Sequence, residues 1–347
     1  MPVEPSSSEP AGGRDLVILQ SFPTPKPTTN PYLVMLAESL RAVDGVTVKN
    51  FHWRTALFGR YDVFHAHWPE ILVTGHSPVK TLAKQVLTAA LIVRLWLTRT
   101  PLVRTVHNVA EPEGLTGVQR MLLRRLDRRT ALRIRLNPTT LIRSGIVVTI
   151  PHGHYREWFA HYPARSAVPG RLGYFGLIRR YKGVEVLLEA FRGLDSESLS
   201  LRVGGKPSTA ELAQTVRSLA AGDARITLQL AFLSDGEVVE LVTTSELIVL
   251  PYRFMHNSGG ALATLSLDRP VLLPDNEVNR LLAEEVGPGW VHLYSGELAP
   301  QDLASALATL RATPPKGRPD LSAREWSSTG ADHVAAYRRA IARVKER

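Results

Sequence analysis

The sequence predicts an α/β protein with two Rossmann-like lobes, each built on a doubly wound, mainly parallel sheet. Short apolar, β-prone runs alternate with stretches of helical spacing, which is typical of a parallel sheet covered by helices on both faces. The alternation restarts near residue 171, and 347 residues suffice for two units of about 150 to 200 residues. We therefore expect an inter-lobe boundary near residues 163–170.

The predicted elements follow in order along both halves. The N-terminal half gives strands at 15–20, 46–53, 63–66, 102–106 and 147–150, with helices at 32–43 and 79–98. The C-terminal half gives strands at 171–175, 199–204, 226–230, 247–251 and 271–273, with helices at 184–194, 210–221 and 260–267. We expect an N-terminal lobe at 14–165, a second lobe at 170–322, and a final helix at 323–347 that is interrupted near 327–330 and packs back on the first lobe.

Charge is distributed unevenly between the halves. Residues 1–169 contain 21 of the 42 Lys and Arg but only 11 of the 32 Asp and Glu, so residues 170–347 are balanced at 21 of each. The whole formal excess of +10 thus lies in the N-terminal half. Such asymmetry indicates an anionic partner there, which is a membrane surface, a nucleic acid or an acidic substrate.

Several classes of site and location are disfavoured by composition. The chain has no cysteine, which excludes disulfides, thiolate metal sites and cysteine nucleophiles. Residues 1–13 lack the basic start and apolar run of a secretory signal. The longest apolar run, at 86–97, contains Arg94 and is shorter than the roughly 20 residues needed to span a bilayer. We expect a cytoplasmic protein without a transmembrane helix.

Two loops of the C-terminal half follow predicted strands and precede predicted helices. In residues 176–183, Gly176 permits a tight turn. The forked guanidinium group of Arg179 and the ammonium group of Lys182 could both bind a diphosphate. In residues 251–260, backbone N–H groups at the start of a helix would face an anion. Each loop alone could be an ordinary turn or cap, but together they predict a nucleotide-diphosphate site. Its second loop contributes Tyr252, Asn257, Ser258, Gly259 and Gly260.

Polar side chains also end two strands of the N-terminal half. His65, His67 and Glu70 could hold a metal, but His65 and His67 would share one strand face with no assured third ligand. Recognition of an acceptor hydroxyl by His67, Trp68 and Glu70 is favoured, because an aromatic side chain with polar neighbours suits a sugar. Packing in the core is the alternative.

The candidate general bases are His107, Glu113 and Glu70. A base at a strand end could remove a proton from an acceptor hydroxyl, and a lone histidine at a strand end, such as His107, could equally be structural. Two further histidines near the predicted boundary, His152 and His154, are candidates for acceptor binding or for a hinge.

Residues 119–136 form a basic amphipathic stretch with seven arginines and one acidic residue. Such a pattern is typical of segments that lie on anionic lipid. The alternative is a helix whose apolar side packs inward. We expect no nucleic acid partner, because no recognised nucleic-acid-binding motif accompanies the charge.

Seven segments of the chain, which include most of the candidate site residues above, resemble the two-lobed (GT-B) glycosyltransferases, in which the lobes face each other across a cleft. Among these enzymes, they resemble bacterial mannosyltransferases that act on glycolipids. The resemblance extends over nearly the whole chain. The matching segments are NPYLVML (30–36), RYDVFHAHWPE (60–70), VRTVHN (103–108), HGHYREWF (152–159), FGLIRRYKGVEVLLE (175–189), VLPYRFMHNSG (249–259) and EEVGPGW (284–290).

The resemblance implies GDP-mannose as the donor and a polyprenyl-diphosphate-linked oligosaccharide as the acceptor. Mannose would be transferred to glucuronic acid with inversion, giving a β-1,4 linkage in exopolysaccharide biosynthesis. The base would come from the N-terminal lobe, while the C-terminal lobe would hold the departing diphosphate. It also implies peripheral association with the inner face of the cell membrane, which agrees with the basic N-terminal half.

One departure from the wider superfamily concerns donor contacts. Many retaining GT-B enzymes carry two glutamates at the places held here by Met255 and Ala263, so their residue roles do not transfer. No Asp-x-Asp motif is present, and we expect a metal-independent enzyme without a cofactor. Other possibilities at this stage are a UDP-sugar transferase, a sugar-nucleotide epimerase, a phosphorylase or a non-catalytic anion-binding protein.

Overall fold

The computed structural model describes residues 14–107, 114–142, 144–253 and 257–346. The chain divides into two compact units. The described part of the first unit comprises residues 14–107, 114–135, 142, 144–150 and 326–346, and that of the second comprises 136–141, 151–253 and 257–325. Residues 136–141 and 151–165, which the sequence analysis assigned to the N-terminal lobe, therefore lie in the second unit.

The first unit is built on a parallel six-stranded sheet of order β2-β1-β3-β4-β5-β6. Its strands are β1 (Leu16–Gln20), β2 (Val46–Lys49), β3 (Val63–Ala66), β4 (Leu102–Val106), β5 (Thr130–Arg135) and β6 (Ile146–Thr149). Its helices are α1 (Pro31–Arg41), α2 (Trp53–Phe58), α3 (Pro78–Leu97), α4 (Gly117–Arg129) and the C-terminal helix (Trp326–Lys345). A topological switch point lies between β1 and β3.

The C-terminal helix runs without a break from Trp326 to Lys345, so the predicted interruption near residues 327–330 is wrong. Gly330 lies in close helix packing, because an added Cβ there would collide with the backbone and hydroxyl of Ser39 in α1. The Ser39 hydroxyl also donates a hydrogen bond to the Trp326 carbonyl. The glycine therefore allows two helices to approach each other and does not end one of them.

The arginine-rich stretch at 119–136 does not present its apolar side to solvent. Its first part is α4, and its second part is β5, a strand that the periodicity did not predict. Leu122, Leu126, Leu132 and Ile134 are all buried. The inward-packing alternative therefore holds for this stretch, and its exposed side is almost entirely arginine.

The second unit is built on a parallel six-stranded sheet of order β12-β11-β10-β7-β8-β9. Its strands are β7 (Arg171–Phe175), β8 (Ser200–Gly204), β9 (Ile226–Gln229), β10 (Leu247–Val249), β11 (Val271–Pro274) and β12 (Val291–Tyr294). Its helices are α5 (Arg156–Phe159), α6 (Val184–Arg192), α7 (Ala210–Ala220), α8 (Asp235–Thr244), α9 (Gly259–Ser266), α10 (Glu277–Val286) and α11 (Pro300–Ala312). Both sheets confirm the predicted α/β, doubly wound class.

The described helices include none that is long and apolar enough to cross a membrane. The longest apolar one, α3, carries Lys80, Lys84 and Arg94.

Candidate active site

The two predicted diphosphate loops of the second unit flank its topological switch point. One loop follows β7 and the other follows β10, and these strands are neighbours in the sheet. Successive helices leave the sheet on opposite faces at such a point, which opens a crevice at the carboxyl ends of the strands. The backbone N–H of Arg253 donates to the Tyr181 carbonyl at 2.9 Å, so the two loops are also joined directly.

Three of the residues predicted to bind the nucleotide diphosphate meet at the hydroxyl group of Tyr252. The Lys182 ammonium donates to the Tyr252 hydroxyl at 3.3 Å and lies 4.7 Å from the centre of the Tyr252 ring. A Cβ added at Gly260 would lie 3.2 Å from the same hydroxyl. Gly176, with φ of +114°, would place a Cβ 3.5 Å from the Lys182 ammonium. The structure thus brings Gly176, Lys182, Tyr252 and Gly260 together.

Lys182 is a cation without a carboxylate partner among the residues that the structure describes. Burial, reinforced by the nearby positive charge of Arg179, lowers the pKa of Lys182 to about 8. The Arg179 side chain itself is exposed. An anion bound beside Lys182 would stabilise the charge that burial and Arg179 destabilise.

The start of α9 supplies further donors. Ser258 caps this helix, accepting a hydrogen bond from the Ala261 N–H at 3.0 Å. The N–H groups of Gly259 and Gly260 precede the first N–H that an intrahelical carbonyl can satisfy. They lie at the positive end of the helix, where phosphate oxygens bind well. Together with Lys182, this end can hold a nucleoside diphosphate.

Asn257 lines a neighbouring cavity of about 270 Å³ within the second unit. Its side-chain oxygen accepts from the Asn137 amide at 2.5 Å, and both residues line the cavity with His152. His152 is nearly buried, its Nδ1 donates to the Gly153 carbonyl at 2.8 Å, and burial lowers its pKa to about 4. It is therefore a neutral imidazole at this wall.

His154 does not line this cavity. It is 2% exposed, its Nδ1 accepts from the Arg156 N–H at 3.3 Å, and its Nε2 lies 3.1 Å from a Glu325 carboxylate oxygen. Both ring nitrogens are thus engaged in holding the chain. His154 therefore has little surface to offer an acceptor, while His152 remains a candidate for sugar contact.

In the first unit, the predicted histidines gather at the switch point between β1 and β3. Gln20 ends β1, His67 follows β3, and His107 follows β4. The carboxyl ends of these parallel neighbours share one edge of the sheet. His67 Nε2 lies 2.9 Å from Gln20 Oε1, and His67 Nδ1 lies 3.2 Å from His107 Nε2. A continuous Gln20–His67–His107 relay results.

The direction of the relay follows from the Gln20 end. A carbonyl oxygen only accepts, so Nε2 of His67 donates to it. Burial lowers the pKa of His67 to about 3, which keeps the ring neutral and leaves Nδ1 as an acceptor. His107 Nε2 therefore donates to His67, and a neutral His107 carries its basic lone pair on Nδ1. The relay fixes the tautomer of the candidate base.

The histidines beneath the relay are enclosed by the C-terminal helix. His65 is fully buried between the Thr105 hydroxyl at 2.8 Å and the Tyr337 hydroxyl at 2.7 Å. Burial, together with the neighbouring His67, holds the pKa of His65 well below its usual value. Burial also lowers the pKa of His333 to about 4. As predicted, His65 and His67 share one face, with ring centres 4.2 Å apart.

Trp68 and Glu70 lie at the border of this cluster. The Trp68 ring stacks on His107, with centres 4.1 Å apart and planes 18° apart, and both rings are half-buried. Glu70 lies in a single 3-10 turn, where burial raises the pKa of its carboxyl group. Glu113, the third candidate base, and Met255 lie outside the described residues.

No group of three His, Asp or Glu side chains in the described ranges could hold a metal ion. Lys182, Arg179 and the backbone N–H groups at the start of α9 remain the candidate groups for binding an anion.

Two residues of these sites were not predicted from the sequence. Gln20 is a fully buried amide at the end of an apolar strand. A polar residue in that place was the feature of the sequence that could have identified it as a site residue. Asn137 comes two residues after β5, a strand that was itself not predicted. Both lie at carboxyl ends of strands, where the other candidates also lie.

The chain is similar to two proteins of Xanthomonas campestris pv. campestris, both named GDP-mannose:glycolipid 4-β-D-mannosyltransferase. They are 47% and 46% identical to it over 326 residues, which are 94% of this chain and 93% of each relative. No model of a protein family matches the sequence.

Solved structures show the same fold at low identity. Sucrose-phosphate synthase from Thermosynechococcus elongatus aligns with a TM-score of 0.64 at 15% identity, covering 95% of this chain and all of that one. The catalytic domain of starch synthase IV from Arabidopsis thaliana, bound to ADP and acarbose, aligns with a TM-score of 0.65 at 10% identity and the same coverage. The GT-B fold expected from the resemblance is confirmed.

Proposed function

The chain belongs to the family of GDP-mannose:glycolipid 4-β-D-mannosyltransferases, and from this premise we propose that it transfers mannose from GDP-mannose to a lipid-linked oligosaccharide. It is a glycosyltransferase. The observation that carries the donor assignment is the meeting of Lys182, Tyr252 and Gly260 at the switch point of the second unit. The donor in the name of the relatives, GDP-mannose, contains a diphosphate, which is the anion that these groups suit.

The second unit would stabilise the departing GDP. Negative charge builds up on the diphosphate as the bond to mannose breaks, and fixed positive groups are worth most at that moment. Lys182 and Arg179 supply full charges, and the N–H groups at the start of α9 supply dipoles. The departing diphosphate would then be stabilised without a metal ion or cofactor.

The first unit would supply the base. For an inverting transfer, a base removes the proton from the acceptor hydroxyl as its oxygen attacks the anomeric carbon. We assign this role to Nδ1 of His107, because the relay from Gln20 through His67 fixes that tautomer. His67 is 2% exposed and has almost no surface for an acceptor, so its role changes from acceptor binding to positioning His107.

The acceptor would be a polyprenyl-diphosphate-linked oligosaccharide that ends in glucuronic acid, extended by a β-1,4-linked mannose during exopolysaccharide synthesis. The basic excess of the N-terminal half suits an acidic sugar, a lipid diphosphate and the inner face of the cell membrane. Trp68, half-buried on His107, offers a ring edge and face to a sugar beside the base.

A donor competition assay tests the proposal. Purified protein is mixed with radiolabelled GDP-mannose or a UDP-sugar and an extracted lipid-linked acceptor, and labelled lipid is measured. We expect transfer from GDP-mannose only, inhibited by GDP and not by UDP. Transfer from a UDP-sugar in the absence of transfer from GDP-mannose would overturn the donor assignment.

A further inference from the structure

One helix of the first unit exposes an unusual amount of apolar surface. Along α3, large apolar side chains are exposed from the first turn to the last. They are Val79 (78% exposed), Leu82 (62%), Val86 (61%), Val93 (52%), Trp96 (59%) and Leu97 (68%). At 1.5 Å per residue these 20 residues form a stripe about 30 Å long. Contiguous apolar surface of this extent marks an interaction site.

The stripe occupies one side of α3, and the opposite side of the helix packs into the core of the first unit. Thr88, Leu91 and Leu95 face inward and are buried. The spacings of 79, 82, 86 and 93 are close to whole helical turns, so these positions lie on a single outward face. The exposed residues are therefore additional to those that the fold needs for its own core.

Charge identifies the partner. The helix α3 contains no Asp or Glu, and it packs beside α4, whose exposed side chains are mainly arginines, with Val118 and Met121 among them. The exposed arginines of α4 are Arg120, Arg124, Arg125, Arg128 and Arg129. The single acidic residue of α4, Asp127, is paired with Arg104 at 3.0 Å and with Arg133 at 2.9 Å. The surface combines an apolar stripe with a basic border.

We propose that α3 and α4 form a docking surface for an anionic lipid bilayer, with the α3 stripe inserted at the headgroup boundary and the α4 arginines on the lipid phosphates. Apolar burial and attraction to anionic lipid add in this mode of binding. A symmetric dimer through the same face would bring two sets of arginines together, and such juxtaposition of like charges is costly. Nucleic acid would leave the apolar stripe in water.

The inference rests on the proposed function, because it gives the lipid-linked acceptor and the enzyme a common surface. It also changes which segment contacts lipid. The apolar residues of 119–136 were expected to contact lipid, but most of them are buried, and Met121, at 44%, is the exposed one among the large side chains. The apolar contribution comes from α3, and α4 contributes charge.

Vesicle flotation of the full chain tests the surface. Vesicles of phosphatidylcholine with phosphatidylglycerol are compared with vesicles of phosphatidylcholine alone, both without acceptor or donor. We expect binding to the anionic vesicles that weakens with salt. The double variant Leu82→Glu/Val93→Glu should bind about 100-fold or more weakly, since each residue loses apolar burial and gains a repelled charge. Phe232→Glu, at a side chain 56% exposed in the second unit, is the matched control and should bind normally.

A second variant and a second assay separate this proposal from the proposed function. Arg124→Gln/Arg128→Gln should weaken anionic binding about 25-fold, at about 5-fold for each lost charge. Mannosyl transfer to a water-soluble, short-chain acceptor should stay unchanged in both double variants, because neither touches the candidate active site. Equal vesicle binding by the wild type and by both variants would overturn the docking surface whether or not mannose is transferred. A dimeric wild type, converted to a monomer by Leu82→Glu/Val93→Glu with vesicle binding intact, would overturn it in favour of self-association.

Discussion

Replacing Lys182 with methionine should make the second unit more stable while weakening its binding to GDP. Methionine keeps much of the length of the side chain and removes the charge. In the folded protein that charge has no carboxylate partner among the described residues, and burial and Arg179 lower its pKa from 10.5 to about 8. The folded protein therefore holds a charge that the unfolded chain accommodates more easily.

The magnitude follows from the pKa shift. A change from 10.5 to about 8 corresponds to at most about 3.4 kcal/mol at 1.36 kcal/mol per unit, and local relaxation reduces this to about 1 to 2 kcal/mol. For a unit of this size the melting temperature should rise by about 2 to 8 °C. Because the folded pKa is the lower one, the gain is complete well below pH 8 and is lost as the pH rises through 10.5, above which the lysine is neutral in both states.

The same change should weaken GDP binding by about 10-fold to 100-fold, since a charge-assisted contact with a phosphate oxygen is lost. Calorimetric titration with GDP and thermal unfolding, both from pH 7 to pH 10, measure the two effects. In the wild type the affinity should fall as the pH rises above 8, as the ammonium loses its proton. The variant should lack that decline. Lys316→Met, at an exposed lysine of the same unit, is the control and should change neither quantity.

A variant that melts at or below the wild-type temperature at pH 7 would refute the argument that Lys182 is an uncompensated charge. Unchanged GDP affinity would refute its placement at the diphosphate, even if stability rose as expected. The two readouts thus test separate steps of the reasoning.

Three further changes test other features. Arg179→Ala should lower kcat/KM about 100-fold with little effect on melting, as expected for a group that stabilises the leaving diphosphate, and a loss below 3-fold would argue against that role. His67→Ala should lower kcat about 10-fold to 100-fold, leave the KM for GDP-mannose unchanged and shift the pH profile of kcat, whereas His67→Gln should recover part of the rate. An unaltered pH profile would contradict the role of His67 in positioning His107. Gly330→Ala should destabilise the first unit by about 2 kcal/mol through collision with α1, while Gly117→Ala, with open space around it, should be neutral in the same melting assay.

The order of strands and helices could be predicted because apolar periodicity is a local property. The diphosphate loops were predicted for the same reason, since Lys182 and Gly260 each follow a recognisable strand. The sheet order then brings β7 beside β10, which makes two separate loops into one site.

Other features depend on contacts between residues far apart in the sequence. Strand β5 resembles a solvated segment because it contains arginines, yet Arg133 is 6% exposed and bonds to the Ser144 carbonyl and to Asp127. The burial of His65 depends on Tyr337, which lies 272 positions later in the sequence, on the C-terminal helix. No local pattern shows that a histidine will be covered in this way.

The composition of the first unit has a consequence for how the chain is synthesised. Its sheet is complete by residue 149, but the helix that covers His65 and packs on α1 is made only after all of residues 151–325. The whole second unit is therefore synthesised before the C-terminal helix can cover the first unit. Until then, the surface of the first unit around His65 and on α1 stays exposed, and exposed apolar surface of this kind is bound by chaperones.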